Sequence, residues 1–316
     1  MTPSSIQHLL ITGASGFVGS NLIPFLQREL PNASISILSR TRNNHQPNTI
    51  LWSELETSAT ATVDAVIHLA GKAHDTSNTS AEQEYFTVNF GLTQQLYDWY
   101  LKSNAQKFIY LSSVKAVADT VEGILKEDST PLPKTPYGKS KLQAEQYILN
   151  SNSNPHKSYY ILRPCMIHGP GNKGNLNLLY QFASKGWPYP LADFENKRSF
   201  LSIGNLKFVL HELLINPIAS DIFNVADDDA LSTNDLIRIM ASEQNRPARL
   251  WKLPKSIITR LASLGDVLKL PLNSERLKKL TESYVVSNKK IKTALGIEAM
   301  PTSAYDGMIA TIKSFK

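Results

Sequence analysis

The chain has 316 residues, of which 42% are hydrophobic and 19% charged, a balance that excludes an intrinsically disordered protein. No apolar run is long enough for an integral membrane segment, and the N-terminal residues lack the basic region and apolar stretch of a signal peptide. Cys165 is the single cysteine, which excludes a disulfide framework and a cysteine-based zinc site and leads to the expectation of a cytoplasmic protein. The net charge of +6 is uneven: residues 246–316 hold 14 Lys and Arg against 5 Asp and Glu. Such a basic third suits nucleic acid, a membrane surface or an anionic small molecule, or is simply a solvated face.

Along the chain, "HLLITG" reads as a first strand and "SNLIPFLQREL" as a helix with apolar residues at helical spacing. "SISILSR" is a second strand, and "VDAVIHLAG" a buried strand ending in small residues. A long helical pattern over residues 83–103 precedes the strand "KFIYLSS". "TPYGKSKLQAEQYILN" opens a helix with Pro136 near its start, and "SYYILRP" is a strand stopped by Pro164. Strands alternating with helices predict an α/β fold with a doubly wound parallel sheet. The second half is less regular. It offers the loop "GPGNKGN", a helix followed by a proline-broken turn, a strand leading into a helix at "RSFLSIGNLKFVLHELLI", and the strand "DIFNVAD". We expect residues 1–165 to form a dinucleotide-binding domain to which 200–226 return, and residues 166–199 and 227–316 to form a smaller interleaved lobe.

Gly13, Gly16 and Gly19 stand three apart between the first strand and the first helix. In that context the first permits a tight turn, the second lets the backbone approach a pyrophosphate, and the third lets the helix pack against the strand. The helix N-terminal amides then face the phosphates. The second strand ends in "LSRTRNN", with Arg40 and Arg42 where an acid would bind a free ribose 2′-hydroxyl. An arginine there accommodates a 2′-phosphate, so NADP(H) is favoured with NAD(H) still open; two surface arginines are the plainer alternative.

Tyr137 and Lys141, in "YGKSK", lie one helical turn apart on one face. The lysine charge is expected to lower the phenol pKa so that it exchanges a proton with a carbinol or ketone. Ser112 and Ser113 stand at the carboxyl end of a strand, where a hydroxyl reaches the same substrate oxygen. Alone, a Tyr-x-x-x-Lys pair is usually a solvated helix face; after a glycine motif and a Ser-Ser strand end it reads as catalytic.

Together "TGASGFVG", "HLAG", Asn89 in "TVNFG", "LSSV", "YGKSK" and "LRPCMIHGPG" resemble, in order and spacing over nearly the whole chain, the extended short-chain dehydrogenase/reductase family of the NAD-dependent epimerase/dehydratase type. The resemblance implies a Rossmann domain with a C-terminal lobe for a nucleotide-linked sugar. It implies Ser113, Tyr137 and Lys141 as the catalytic trio. It places Gly13, Ser15, Gly16, Phe17, Val18 and Gly19 around the pyrophosphate, and Leu69, Ala70, Gly71, Asn89, Ser112 and Pro164 along the cofactor, with Lys141 also on the nicotinamide ribose. For the substrate it implies Ser113, Asn175, Leu191, Arg198 and Arg276, an arginine fork suiting a diphosphate. His168 replaces a common tyrosine and Asn205 a common aspartate; both are read as structural.

The pattern is similar to a UDP-glucose 4-epimerase-like subgroup that includes reductases of UDP-4-keto-6-deoxy-N-acetylglucosamine, enzymes of surface-polysaccharide synthesis. Val114 and Lys115 stand where the 4,6-dehydratases carry an Asp-Glu pair. The leading expectation is an NADP(H)-preferring reductase of the 4-keto group of a UDP-linked sugar. A 4-epimerase with tightly held NAD is the alternative, and a non-catalytic NADP-binding sensor a more distant one. Nucleic acid is not expected as a partner, nor a metal. The resemblance further implies a homodimer through the helices at 83–103 and 137–150. The apolar, basic-flanked "PKSIITRLASLGDVLKLPL" is expected to pack as a helix within the small lobe, with a membrane-surface position as its alternative.

Overall fold

The computed structural model describes residues 6–42, 48–57, 62–72, 81–151, 154–172, 175–268 and 273–315. Seven strands form the central sheet: β1 (His8–Thr12), β2 (Ser34–Ser39), β3 (Thr49–Leu51), β4 (Ala65–His68), β5 (Lys107–Leu111), β6 (Ser158–Pro164) and β7 (Asp221–Val225). Their order is β7-β6-β5-β4-β1-β2-β3, and every pairing is parallel. This is the Rossmann-like α/β arrangement. A parallel sheet is covered on both faces, which is why β1, β4 and β5 are nearly continuous apolar runs. The winding reverses between β1 and β4, and that reversal opens a crevice at the strands' carboxyl ends.

Alternate residues of the sheet feed two cores. On one face Leu9, Ile11, Ile67 and Leu162 pack with α1 (Phe17–Glu29) and α4 (Ile203–Ile215). On the other, Leu10, Val66, Phe108 and Ile161 pack with α2 (Leu92–Lys102) and α3 (Pro136–Ser151). Two buried lysines fasten helix ends to the sheet. Lys107 Nζ donates to the carbonyls of Leu213, Leu214 and Asn216 at 2.7–2.8 Å, and Lys157 Nζ to those of Tyr100, Ser103 and Ala105 at 2.7–2.8 Å. Each cation thus meets the negative end of a helix, α4 and α2 respectively. Burial lowers the Lys107 pKa to about 8.

A three-stranded sheet, in the order Ala230–Leu231, Arg198–Ser202, Met166–His168, begins the second lobe. Helices Asn175–Ser184, Thr233–Ser242 and Ala304–Lys313 surround it, and Lys255–Leu268 packs with Ser274–Thr281 beside them. Strand Arg198–Ser202 lies in this sheet, whereas the α4 and β7 that follow it lie with the first domain. His168 is fully buried against Phe200 and Thr311. Asn205 spends its amide on Asp227 and on Thr302.

Residues 83–103 are not one helix. A single α-turn, Glu82–Tyr85, passes into a π-helical segment, Phe86–Gly91, before α2 begins. Asn89, inside the π segment, binds Lys72 and Ser140, contacts a regular helix would have aimed elsewhere. No helix among the described residues is long and apolar enough to cross a membrane.

Candidate active site

The three glycines take different places. Gly13 has φ +71°, and a Cβ there would stand 2.7 Å from the Ala70 nitrogen. Gly19 would put a Cβ 2.4 Å from the Gly13 carbonyl oxygen, so α1 closes on the turn only because Gly19 has none. At Gly16 the nearest obstacle is that same carbonyl, at 3.3 Å. That contact is tight but far milder than the one at Gly19, and Gly16 is exposed. Gly16 caps α1 without a side-chain hydrogen bond, and the first turn, with Phe17 and Val18, holds no acid. Ser15 is exposed beside it. An uncapped, acid-free helix start fits a pyrophosphate.

Arg40 is exposed just beyond β2, next to Ser39. Arg42 is engaged with Glu54 at 2.5 Å, which leaves Arg40 as the arginine suited to a ribose phosphate. Across the crevice, Leu69, Ala70 and Gly71 follow β4. Their course is fixed from below by an ordered relay. Ala70 N–H donates to Thr12 Oγ1 (2.9 Å), which donates to His68 Nδ1 (2.7 Å); His68 Nε2–H donates to Thr93 Oγ1 (3.0 Å), which donates to the Asn89 carbonyl (2.7 Å). The directions hold the imidazole neutral with its proton on Nε2, and burial, with the Lys141 charge, lowers its pKa to about 3.

The Asn89 side chain accepts from Lys72 N–H at 2.7 Å and donates to Ser140 Oγ at 3.0 Å, tying the loop after β4 to α3. A Cβ on Gly71 would meet Asn89 Oδ1 at 3.0 Å and Lys141 Nζ at 3.1 Å. Lys141 is buried, donates to the Leu111 carbonyl at 2.9 Å and lies 4.9 Å from the centre of the Tyr110 ring. Burial lowers its pKa to about 8 against the Glu145 charge, which raises it.

Ser113 is buried in an extended conformation and accepts from Lys115 N–H at 3.2 Å. Its hydroxyl also hydrogen-bonds Tyr137, which stands edge-on to Tyr85. The structure thus brings Ser113, Tyr137 and Lys141 to the ends of β4 and β5. The Tyr137 pKa is raised by burial, with the Ser113 hydrogen bond opposing. The sequence led to the opposite expectation, a phenol lowered by Lys141. In the structure the lysine charge is directed to the Leu111 carbonyl and toward Glu145.

Ser112 turns away from the crevice and donates to Glu145 Oε1 at 2.5 Å. Glu145 receives Arg163 through a fork, Nη2 to Oε2 at 2.6 Å and Nε to Oε1 at 3.0 Å, with both side chains buried. Sequence reasoning missed this ion pair. Glu145 follows Tyr137 and Lys141 at the next four-residue step of α3, a signal the spacing contained. Pro164 ends β6 beside Arg163, buried and paired with Val225.

Of the substrate residues, Arg198 is half-buried at the start of its strand, close enough to Glu282 and Lys115 to feel both charges. Lys115 was not anticipated as a site residue; it donates to the Asp119 carbonyl and covers the Tyr284 ring at 4.5 Å. Leu191 is buried in an apolar cluster with Tyr189, Ile237 and Ile258, so its side chain serves the lobe's core. Asn175 begins a helix, and its side chain lies outside the described residues. Arg276 is exposed in the first turn of Ser274–Thr281, away from that core. No group of three or more His, Cys, Asp or Glu able to hold a metal occurs among the described residues. A wide concavity of about 890 Å³ lies along β7, lined by Ile218, Phe223 and Lys290, apart from these groups.

Comparison with known proteins gives the same picture. The model of the NAD dependent epimerase/dehydratase family matches residues 9–226. UDP-glucose 4-epimerase of Vibrio cholerae is 30% identical over 262 residues, 79% of each chain. GDP-6-deoxy-D-mannose reductase of Pseudomonas aeruginosa is 26% identical over 248 residues, 74% of this chain and 79% of the relative. Among solved structures, Bordetella bronchiseptica WbmG in complex with NAD and UDP superimposes with a TM-score of 0.75 at 17% identity, covering 99% of this chain and 95% of that one. RMD from P. aeruginosa complexed with NADPH does so with a TM-score of 0.70 at 20% identity, covering 98% and 99%. The chain belongs to the NAD dependent epimerase/dehydratase family, whose members here are nicotinamide-dependent enzymes of nucleotide sugars.

Proposed function

We propose that this protein is an NADPH-preferring reductase of the 4-keto group of a UDP-linked 6-deoxy-N-acetylhexosamine. The observation that carries the reading is the pairing of buried Ser113 with Tyr137 at the strand end, together with exposed Arg40 where an acid would bind a free ribose 2′-hydroxyl. A phenol in that place is a proton donor of the kind that forming a carbinol from a ketone requires. The crevice residues fit a dinucleotide: Gly16 and the start of α1 for the pyrophosphate, Arg40 for a 2′-phosphate, Gly71 and Lys141 for the nicotinamide ribose. The chemistry a nicotinamide supplies is hydride transfer to the carbonyl carbon.

The protein's own part is proton supply and orientation. Ser113 hydrogen-bonds the ketone oxygen and polarises it. Tyr137 delivers its proton to that oxygen as the carbinol forms. Lys141, one helical turn from Tyr137 and charged below pH about 8, is given the stabilisation of the phenolate left behind, which then regains its proton from solvent. Arg198 and Lys115 place two cations where the substrate lobe meets the Ser113 strand end, suited to a diphosphate. Arg276 is a second diphosphate candidate, and Asn175 a pocket candidate through its place in the fold.

The V. cholerae relative favours a second reading, 4-epimerisation, in which Tyr137 must first act as a base. The cofactor separates the two. A reductase exchanges NADPH with solution, whereas an epimerase retains NAD. Titration should give tighter NADPH than NADH binding, and Arg40→Asp should reverse that order, since a carboxylate repels the 2′-phosphate and accepts from a free hydroxyl. Non-exchanging NAD in the purified protein, or an unchanged preference in the variant, would contradict the proposal. The same reading includes a homodimer formed through the helices of residues 83–103 and 137–150, in a surface-polysaccharide pathway of the cytoplasm.

A further inference from the structure

Helix Lys255–Leu268 is only partly accounted for by packing. Ile258, Ala262 and Gly265 face the lobe, in one cluster with Tyr189, Ile237 and Leu277. A second apolar stripe has no such cover among the described residues. Ile257, Leu261, Leu264 and Leu268 recur at i, i+4, i+7 and i+11, which puts them along one line of the helix, and they are 48–65% exposed. Val267, beside them, is 79% exposed. The last residues of the apolar stretch, 269–272, lie outside the described residues.

The surroundings of the stripe are cationic. Residues 246–279 contain nine Lys and Arg against two acids, Asp266 and Glu275, and Asp266 is turned onto Ser274, at 2.5 Å. Lys252, Lys255 and Arg260 are exposed at the start and flank of the helix. The chain entering it, 246–254, also builds a groove of about 300 Å³ with Lys185, Arg246 and Arg249 in its wall and no acid. Trp187, in that wall, and Trp251, just before the helix, are each 56% exposed. Leucines in a line, tryptophans near one end and cations on the margin match the interface of an anionic bilayer, where apolar side chains enter the acyl boundary and Lys and Arg meet headgroup phosphates.

We infer that the outer face of helix Lys255–Leu268 docks this protein on an anionic membrane surface, lying in the interface without crossing it. A second copy of the chain is the other occupant an apolar stripe invites, but two such faces would bring like charge against like. The helix, about 21 Å long at 1.5 Å per residue, presents a strip rather than the broad patch a stable dimer needs. The inference does not depend on which reaction occurs at C4.

The test uses the full chain with vesicles of phosphatidylcholine alone and of phosphatidylcholine mixed with phosphatidylglycerol. Co-sedimentation should occur with the mixed vesicles, fail with the neutral ones, and weaken in high salt. Leu261→Glu with Leu264→Glu should lower binding at least about tenfold, and Lys255→Glu with Arg260→Glu should do so by a similar factor. Both pairs sit on exposed positions, so melting temperature and circular dichroism should match the wild type. The charge-reversal pair keeps the test valid should the leucine pair not fold. Absence of wild-type binding to anionic vesicles, or undiminished binding by the folded variants, would overturn the inference. So would light scattering in which the leucine pair splits a dimer while the wild type ignores vesicles, because the stripe would then be a self-interface.

Discussion

In the proposed reaction Tyr137 is the group that hands its proton to the ketone oxygen. Burial raises the phenol pKa, the Ser113 hydroxyl holds its orientation, and Tyr85 packs edge-on beside it. Tyr137→Phe removes only the hydroxyl, so cofactor binding and melting temperature should remain while kcat falls about 10²–10⁴-fold, the usual worth of a positioned acid. Stopped-flow measurement of NADPH oxidation checks this, and a variant retaining a tenth of the activity would move the acid role elsewhere. Tyr137, Lys141 and Ser113 were singled out in the sequence by their spacing in the context of the glycine motif and the Ser-Ser strand end, and by the family resemblance those motifs carry. The direction of the phenol pKa was not legible there. It depends on burial and on where the Lys141 ammonium points, and neither is written in a four-residue spacing.

Two elements, α1 and α3, do the positioning. On α3 the steps Tyr137, Lys141 and Glu145 line one face, and Glu145 is clamped by Arg163 and Ser112. The lysine is charged below about pH 8 and neutral above it, so kcat/KM for reduction should be level at lower pH and fall as pH rises through about 8. Glu145→Gln removes an anion that raises the Lys141 pKa, so the alkaline limb should move to lower pH. Loss of one member of a buried pair should also cost about 3–5 kcal/mol of stability, read from a denaturant melt. A limb that stays in place would detach Glu145 from the lysine. On α1, Gly19→Ala forces a Cβ onto the backbone of the turn, and overpacking of that kind costs about 1–3 kcal/mol. Gly16→Ala, with φ −75° and its nearest neighbour at 3.3 Å, should cost clearly less stability than Gly19→Ala and yet weaken NADPH binding at least about tenfold. Isothermal titration beside thermal melts separates the two variants; equal losses of affinity and stability in both would refute the division of roles. Helix and strand periods made both elements readable in advance. The π-helical turn at Asn89 was not: Asn89 there meets Lys72 and Ser140, remote in sequence, and no local period specifies such contacts.

At the scale of the whole molecule, the sheet order brings the ends of β1, β4 and β5 together, and the second lobe sets Arg198 near Lys115 on the Ser113 side of the crevice. The alternation of strands and helices announced the sheet. Strand β3, three residues long, was too short to carry a period, and the place of strand Arg198–Ser202 in the second sheet rests on pairings with Met166–His168 and Ala230–Leu231 that no local pattern specifies. The proposed reaction is a net reduction. The most direct measurement follows NADPH absorbance and sugar composition together when the purified protein meets UDP-4-keto-6-deoxy-N-acetylglucosamine. Equimolar loss of NADPH and of the 4-keto group is the predicted result. NADPH left unconsumed, with the protein instead interconverting UDP-N-acetylglucosamine and its 4-epimer, would contradict it.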